Sequence, residues 1–66
     1  MNVSVNGVER SLDPGTTLAG LVAEVAPTLT GVAVAVDEDV VSRGSWERVR
    51  LHEGARVEIL TAMQGG

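Results

Sequence analysis

Two short alternating apolar runs joined by Asn6-Gly7, one apolar stripe at helical spacing directly after them, and two further β-branched runs toward the C-terminus predict an α+β fold. The expected architecture is a mixed sheet of four to five strands with one helix packed across one face, the β-grasp arrangement. At 66 residues the chain has room for one such domain and one core. We assign residues 1–62 to that domain and 63–66 to a flexible C-terminal tail.

Val3 and Val5 alternate with polar neighbours, and Val8-Glu9-Arg10-Ser11-Leu12 alternates again after Asn6-Gly7. Asn-Gly suits a two-residue hairpin loop because both residues tolerate the positive φ of a type I′ turn, so strands are expected at about 2–5 and 8–12. Asp13-Pro14-Gly15 breaks the second strand, and Thr16 or Thr17 offers a hydroxyl to cap the helix that follows. Leu18, Leu21, Val22 and Val25 recur at i, i+3, i+4 and i+7, one apolar helix face. Gly20 weakens that helix, and Pro27 ends it near Ala26. Val32-Ala33-Val34-Ala35-Val36, opened by Gly31, reads as a central strand ending in the acidic turn Asp37-Glu38-Asp39. Val40-Val41 forms a short strand, and Arg43-Gly44-Ser45-Trp46 an irregular or single helical turn. His52-Glu53-Gly54 is a turn, and residues 56–62 are the last strand.

Composition removes several kinds of chemistry. Cys is absent, which excludes disulfides, thiolate nucleophiles and Cys-based zinc sites, and the one histidine, His52, cannot build a multi-His metal site. All five basic residues are arginines, so no lysine is present for Schiff-base chemistry or isopeptide formation. A net charge of −4 argues against nucleic acid as a partner. The sequence has no apolar run long enough to span a membrane, and its first residues have neither a basic n-region nor an apolar h-region. A soluble, cytoplasmic protein is expected, with no catalytic residues of its own and no metal site.

The informative chemistry lies at Gly65-Gly66. Two residues without Cβ make the thinnest and most flexible backbone a chain can offer, suited to threading a narrow channel. A terminal carboxylate, with a reference pKa of about 3.3 to 3.7, is ionised at neutral pH and resists nucleophilic attack. It must therefore be activated to react. Adenylation by ATP would supply a leaving group, AMP, which a sulfur nucleophile could displace to leave a C-terminal thiocarboxylate.

With this tail, the whole chain resembles the ThiS family, the small ubiquitin-like sulfur carriers of bacterial thiamin thiazole biosynthesis. The resemblance runs through Val3-Ser4-Val5-Asn6-Gly7, Gly15-Thr16-Thr17-Leu18, and Val34-Ala35-Val36 before an acidic turn. It continues through Val40-Val41-Ser42-Arg43, Trp46, Gly54 and Gly65-Gly66. The Gly-Gly end is shared by all ubiquitin-like carriers, whereas the brevity of the chain and Val41-x-Arg43-x-x-Trp46 are more specific. Ser42 stands where the family typically has proline. The resemblance implies that an E1-like adenylyltransferase adenylates Gly66 with ATP and Mg²⁺, which this chain does not itself bind stably. It further implies that a cysteine desulfurase or rhodanese-type persulfide supplies sulfur and that thiazole synthase consumes the thiocarboxylate. Gly66 is then the sulfur-carrying position, and Gly65 and Gln64 thread the channel. The alternatives are a carrier for molybdopterin, cysteine or tRNA thiolation, or a noncatalytic ubiquitin-like interaction module.

Strand parity puts Val3, Val5, Val32, Val34, Val36, Val57 and Ile59 beneath the helix and Ala33, Ala35, Leu60 and Ala62 on the opposite face. An uncovered sheet face is normally polar. Small apolar residues there, continuing to Met63 at the tail root, are expected to form a partner-binding patch beside the reactive end. Asp37, Glu38 and Asp39 lack the spaced oxygen ligands of a calcium loop and read as a solvated turn. Glu9, Glu47, Glu53 and Glu58 extend an acidic surface suited to basic partner grooves. His52 reads as an exposed turn residue and Trp46 as a plug at the core edge.

Overall fold

Among the described residues, five strands and one helix form in the order β1 (Asn2–Val5), β2 (Val8–Ser11), α1 (Leu18–Val25), β3 (Val32–Val36), β4 (Asp39–Val41) and β5 (Arg56–Thr61). A single 3-10 turn, Arg43–Ser45, precedes β5. This is a computed structural model, and it describes residues 1–27 and 31–61. The strands make one sheet in the order β2-β1-β5-β3-β4. β1 and β5 are parallel, with Ser4 opposite Arg56 and Val5 opposite Val57, and every other pairing is antiparallel. The element order and the single helix give the expected β-grasp architecture.

Local chemistry explains the element boundaries. Asn6 and Gly7 take φ of 51° and 85°, the left-handed pair that a type I′ hairpin requires. Gly15, at φ 88°, follows Pro14, and the Thr16 N–H donates to the Asp13 carbonyl at 3.2 Å, closing a turn of the Pro-Gly kind. Thr17 then caps α1: its hydroxyl accepts from the Gly20 N–H at 3.2 Å, satisfying one of the free donors of the first turn. Pro27 follows the helix, whose last cap bond runs from the Ala26 N–H to the Val22 carbonyl at 2.8 Å.

The core lies between α1 and one sheet face. Leu18 and Leu21 are completely buried and pack with Val22, Val3, Val5, Val34, Val57 and Ile59. Val25, Val32 and Val36 are half-buried against this cluster, as strand and helix parity require. Leu51 and Ala55 also belong to the core although they lie in the irregular segment before β5. Trp46 closes the core edge at 8% exposure, and its indole N–H donates to the Val41 carbonyl at 3.0 Å. The plug reading of Trp46 holds, and the bond explains how its polar atom is satisfied.

Three readings change in detail. The middle of the sheet is β5, with β3 one place out between β5 and β4; a run of valines marks a strand with neighbours on both sides and carries no information on its rank. Only Asp37 and Glu38 form the β3–β4 turn, at φ 51° and 76°, because Asp39 already pairs with Val36 in β4. The second strand stops at Ser11, with Leu12 tied to the N-terminal residue by a 2.7 Å bond from its N–H to the Met1 carbonyl. The expectations for Ala62, and the division into a domain 1–62 and a tail 63–66, reach beyond the described residues.

Candidate functional site

The site is read from the sheet face that α1 leaves uncovered and from the end of β5. Antiparallel partners share a face, so Leu60 stands beside Ala33, and Ala35 lies between Glu58 and Val40. Leu60 is 66% exposed and Val40 81% exposed; Ala33 is exposed and Ala35 half-buried. The structure therefore brings together Leu60, Ala33 and Ala35 as strand parity proposed, and adds Val40, which the sequence reading placed only in a short strand. Ala62, Met63, Gln64, Gly65 and Gly66 lie outside the described residues. Glu58 gives the patch an acidic member, consistent with the net charge of −4.

At the end of β5, Asn6 does more than turn the chain. Its backbone N–H donates to the Val57 carbonyl at 2.9 Å, continuing the parallel ladder that begins with the Ser4 N–H and the Ala55 carbonyl at 2.9 Å. There the backbone leaves the ladder, because φ of 51° turns it into the hairpin. The side-chain amide then replaces it: Oδ1 accepts from the Ile59 N–H at 2.8 Å, and Nδ2 donates to the Ile59 carbonyl at 3.1 Å. Both main-chain groups of Ile59 are thus satisfied on the β1 side. The sequence pattern marks Asn6 only as a turn residue, since Asp or Gly would serve that turn equally well.

A second polar constellation sits at the β3–β4 turn. Asp37 exchanges main-chain and side-chain bonds with Arg56: its N–H donates to the Arg56 carbonyl at 2.8 Å, and its Oδ1 accepts from the Arg56 N–H at 3.0 Å. Its other oxygen, Oδ2, is 2.7 Å from His52 Nε2. The Arg56 N–H and His52 together hold the Asp37 carboxyl below its ordinary value of 3.8. In turn Asp37, aided by the Glu53 carbonyl 3.0 Å from His52 Nδ1, raises His52 above 6.5. His52 is exposed as expected, but its partner, fifteen residues earlier, left no signal in the sequence.

On the helix side, a groove of about 510 Å³ opens between the end of α1 and the Arg43–Trp46 turn, lined among others by Ala23, Ala26, Arg43 and Glu47. The Arg43 guanidinium lies 5.6 Å from the centre of the Trp46 ring, so the spaced Arg and Trp of the Val41-x-Arg43-x-x-Trp46 segment stack on one another. That segment thus has a structural basis. No helix among the described residues is long and apolar enough to cross a membrane.

A five-stranded sheet with one helix, its first and last strands parallel at the centre, and a Gly-Gly sequence beyond the last strand define a ubiquitin-like β-grasp protein. Comparison with known proteins narrows the class. A family model described as the ThiS family matches residues 3–66, and the chain belongs to that family. Among solved structures, the crystal structure of thiamine biosynthesis protein ThiS from Geobacter metallireducens superposes with a TM-score of 0.82 at 28% identity, covering 100% of both chains. Thiazole synthase from Magnetococcus marinus is 35% identical over 66 residues, which is 100% of this chain and 20% of that protein. The chain therefore spans a fifth of the length of this curated relative.

Proposed function

We propose that this chain is a sulfur carrier of thiamin biosynthesis, a substrate protein and not an enzyme, whose Gly66 carboxylate becomes a thiocarboxylate. The observation that carries this reading is the likeness along residues 3–66 to the ThiS family and along the chain to the Geobacter protein, with the Gly65-Gly66 pair inside the matched residues. In this reading an E1-like adenylyltransferase binds ATP and Mg²⁺, the Gly66 carboxylate oxygen attacks the α-phosphorus, and pyrophosphate leaves. The terminal sulfur of a persulfide held by a cysteine desulfurase or rhodanese-type protein then attacks the acyl carbon and displaces AMP, and a thiol cleaves the resulting acyl disulfide, releasing the thiocarboxylate as a new disulfide forms. Thiazole synthase takes the sulfur onward, a partnership supported by the Magnetococcus relative. The carrier contributes the unhindered Gly65-Gly66 backbone, with Gln64, as the channel-threading segment. It contributes Leu60, Ala33 and Ala35, with Ala62 and Met63 following in sequence, as the surface on which the adenylyltransferase seats it.

Intact-mass measurement after incubation with an E1-like adenylyltransferase, ATP, Mg²⁺ and a sulfur donor tests the proposal. The wild-type chain is expected to gain the mass difference between sulfur and oxygen, while a chain lacking Gly66 keeps its mass. Gly65→Val is expected to block the reaction, because a β-branched side chain does not pass a channel cut for bare backbone. A Gly66-deleted chain that still acquires sulfur, or a wild type that never does, overturns the assignment.

A further inference from the structure

The Asn6 amide occupies the last point at which β1 can hold β5. The β1 backbone has turned away into its hairpin, yet Ile59, two residues before the end of β5, has both main-chain groups bonded to this one side chain at 2.8 and 3.1 Å. On its other side β5 is held by β3, with Val34 opposite Ile59 and Ala33 opposite Leu60. The Ile59 side chain is buried at 8% exposure while Asn6 is exposed and its two bonds are part-buried, so removing the amide hands both main-chain groups of Ile59 to water and loosens the strand there. The loss falls at the point where the strand hands over to the residues leading to Gly65-Gly66.

We propose that Asn6 is a positioning residue for the chemistry at Gly66: its amide clamps Ile59 into the sheet and so fixes the end of β5, the strand that Gly65-Gly66 follow in sequence. This inference rests on the carrier reading above. A tail that must deliver a carboxylate to a partner's reaction centre gains from a rigid origin, because a displacement of about 1 Å at a reacting group can cost about 100-fold in rate. The outer-face patch seats the carrier; the clamp holds the end of β5. Removing the clamp should therefore affect the chemical step more than the association.

Asn6→Gly is the informative variant, since glycine accepts φ of 51° and preserves the hairpin while removing the amide. Two measurements decide the proposal. Amide hydrogen exchange is expected to show loss of protection at Ile59 while Val34 and Val57 stay protected. Adenylation by an E1-like enzyme active on the wild type is expected to show kcat lowered about 10- to 100-fold with KM little changed. Val22→Ala, which weakens the core from the helix side, serves as the control for lost stability. Assayed well below its unfolding temperature, it should keep wild-type kcat. Wild-type kcat in Asn6→Gly, or an equal fall in Val22→Ala, overturns the positioning role, as does unchanged exchange at Ile59. A wild type that no such enzyme adenylates instead overturns the carrier reading itself, and the exchange measurement tells the two failures apart.

Discussion

His52 Nε2 lies 2.7 Å from Asp37 Oδ2, joining the segment before β5 to the β3–β4 turn. The second ring nitrogen, Nδ1, lies 3.0 Å from the Glu53 carbonyl. Both neighbours are acceptors, so only the imidazolium, with two N–H donors, satisfies both at once. An exposed pair of this kind is screened by solvent, and its effect is read best as a dependence on pH.

The sign follows from the two shifts. His52, raised in the folded state, contributes stability that is fully present below its ordinary value of 6.5 and lost as pH rises through the raised value. Asp37, lowered in the folded state, contributes stability present above 3.8 and lost as pH falls through its lowered value. The difference in unfolding temperature between wild type and His52→Gln should be greatest between pH 3.8 and 6.5 and shrink on either side. A difference that grows toward alkaline pH would contradict the pairing.

Leu21 is wholly buried at the centre of the α1 face. Leu21→Ala removes its packing and leaves a cavity, at a cost of about 2 to 5 kcal/mol. A core of this size rarely supplies more than about 3 to 5 kcal/mol in all. Denaturant titration should find the variant at least partly unfolded in buffer, and a midpoint equal to that of wild type would show that Leu21 does not carry the core.

Gly20 occupies an exposed position of α1 where a methyl group fits: its Cβ would meet Thr17 Oγ1 at 3.5 Å and Thr16 Cγ2 at 3.8 Å, ordinary contacts. Gly20→Ala is expected to stabilise the protein by roughly 0.5 to 1 kcal/mol through reduced backbone entropy in the unfolded chain. Thermal unfolding checks this, and a lower unfolding temperature would mean that the space is not free.

Leu60 and Ile59 are neighbours with opposite fates. Ile59→Glu puts a carboxylate into the core and should abolish the native circular dichroism spectrum. Leu60→Glu faces solvent and should leave folding intact; under the proposed carrier function it should weaken binding to an E1-like adenylyltransferase, because a charge buried without a partner at an interface is strongly unfavourable. An unfolded Leu60→Glu would invert the sheet faces; a folded one that binds normally would remove Leu60 from the docking surface.

Local pattern was enough for the elements that depend on neighbours in the chain. The spacing of Leu18, Leu21, Val22 and Val25 placed the helix and its buried face, and Asn6-Gly7 placed the hairpin, because side-chain periodicity and left-handed turn residues are properties of a few consecutive positions. Alternation likewise separated Leu60 from Ile59 before any partner strand was known. Tertiary structure alone decided what pairs across long separations. That β5 occupies the middle of the sheet, that Leu51 and Ala55 complete the core, that His52 meets Asp37, and that the Asn6 amide holds Ile59 fifty-three residues away are all settled by how the strands assemble. None of these leaves a local trace, since a hydrogen-bonding side chain has the same sequence context whether its partner is water or a distant strand.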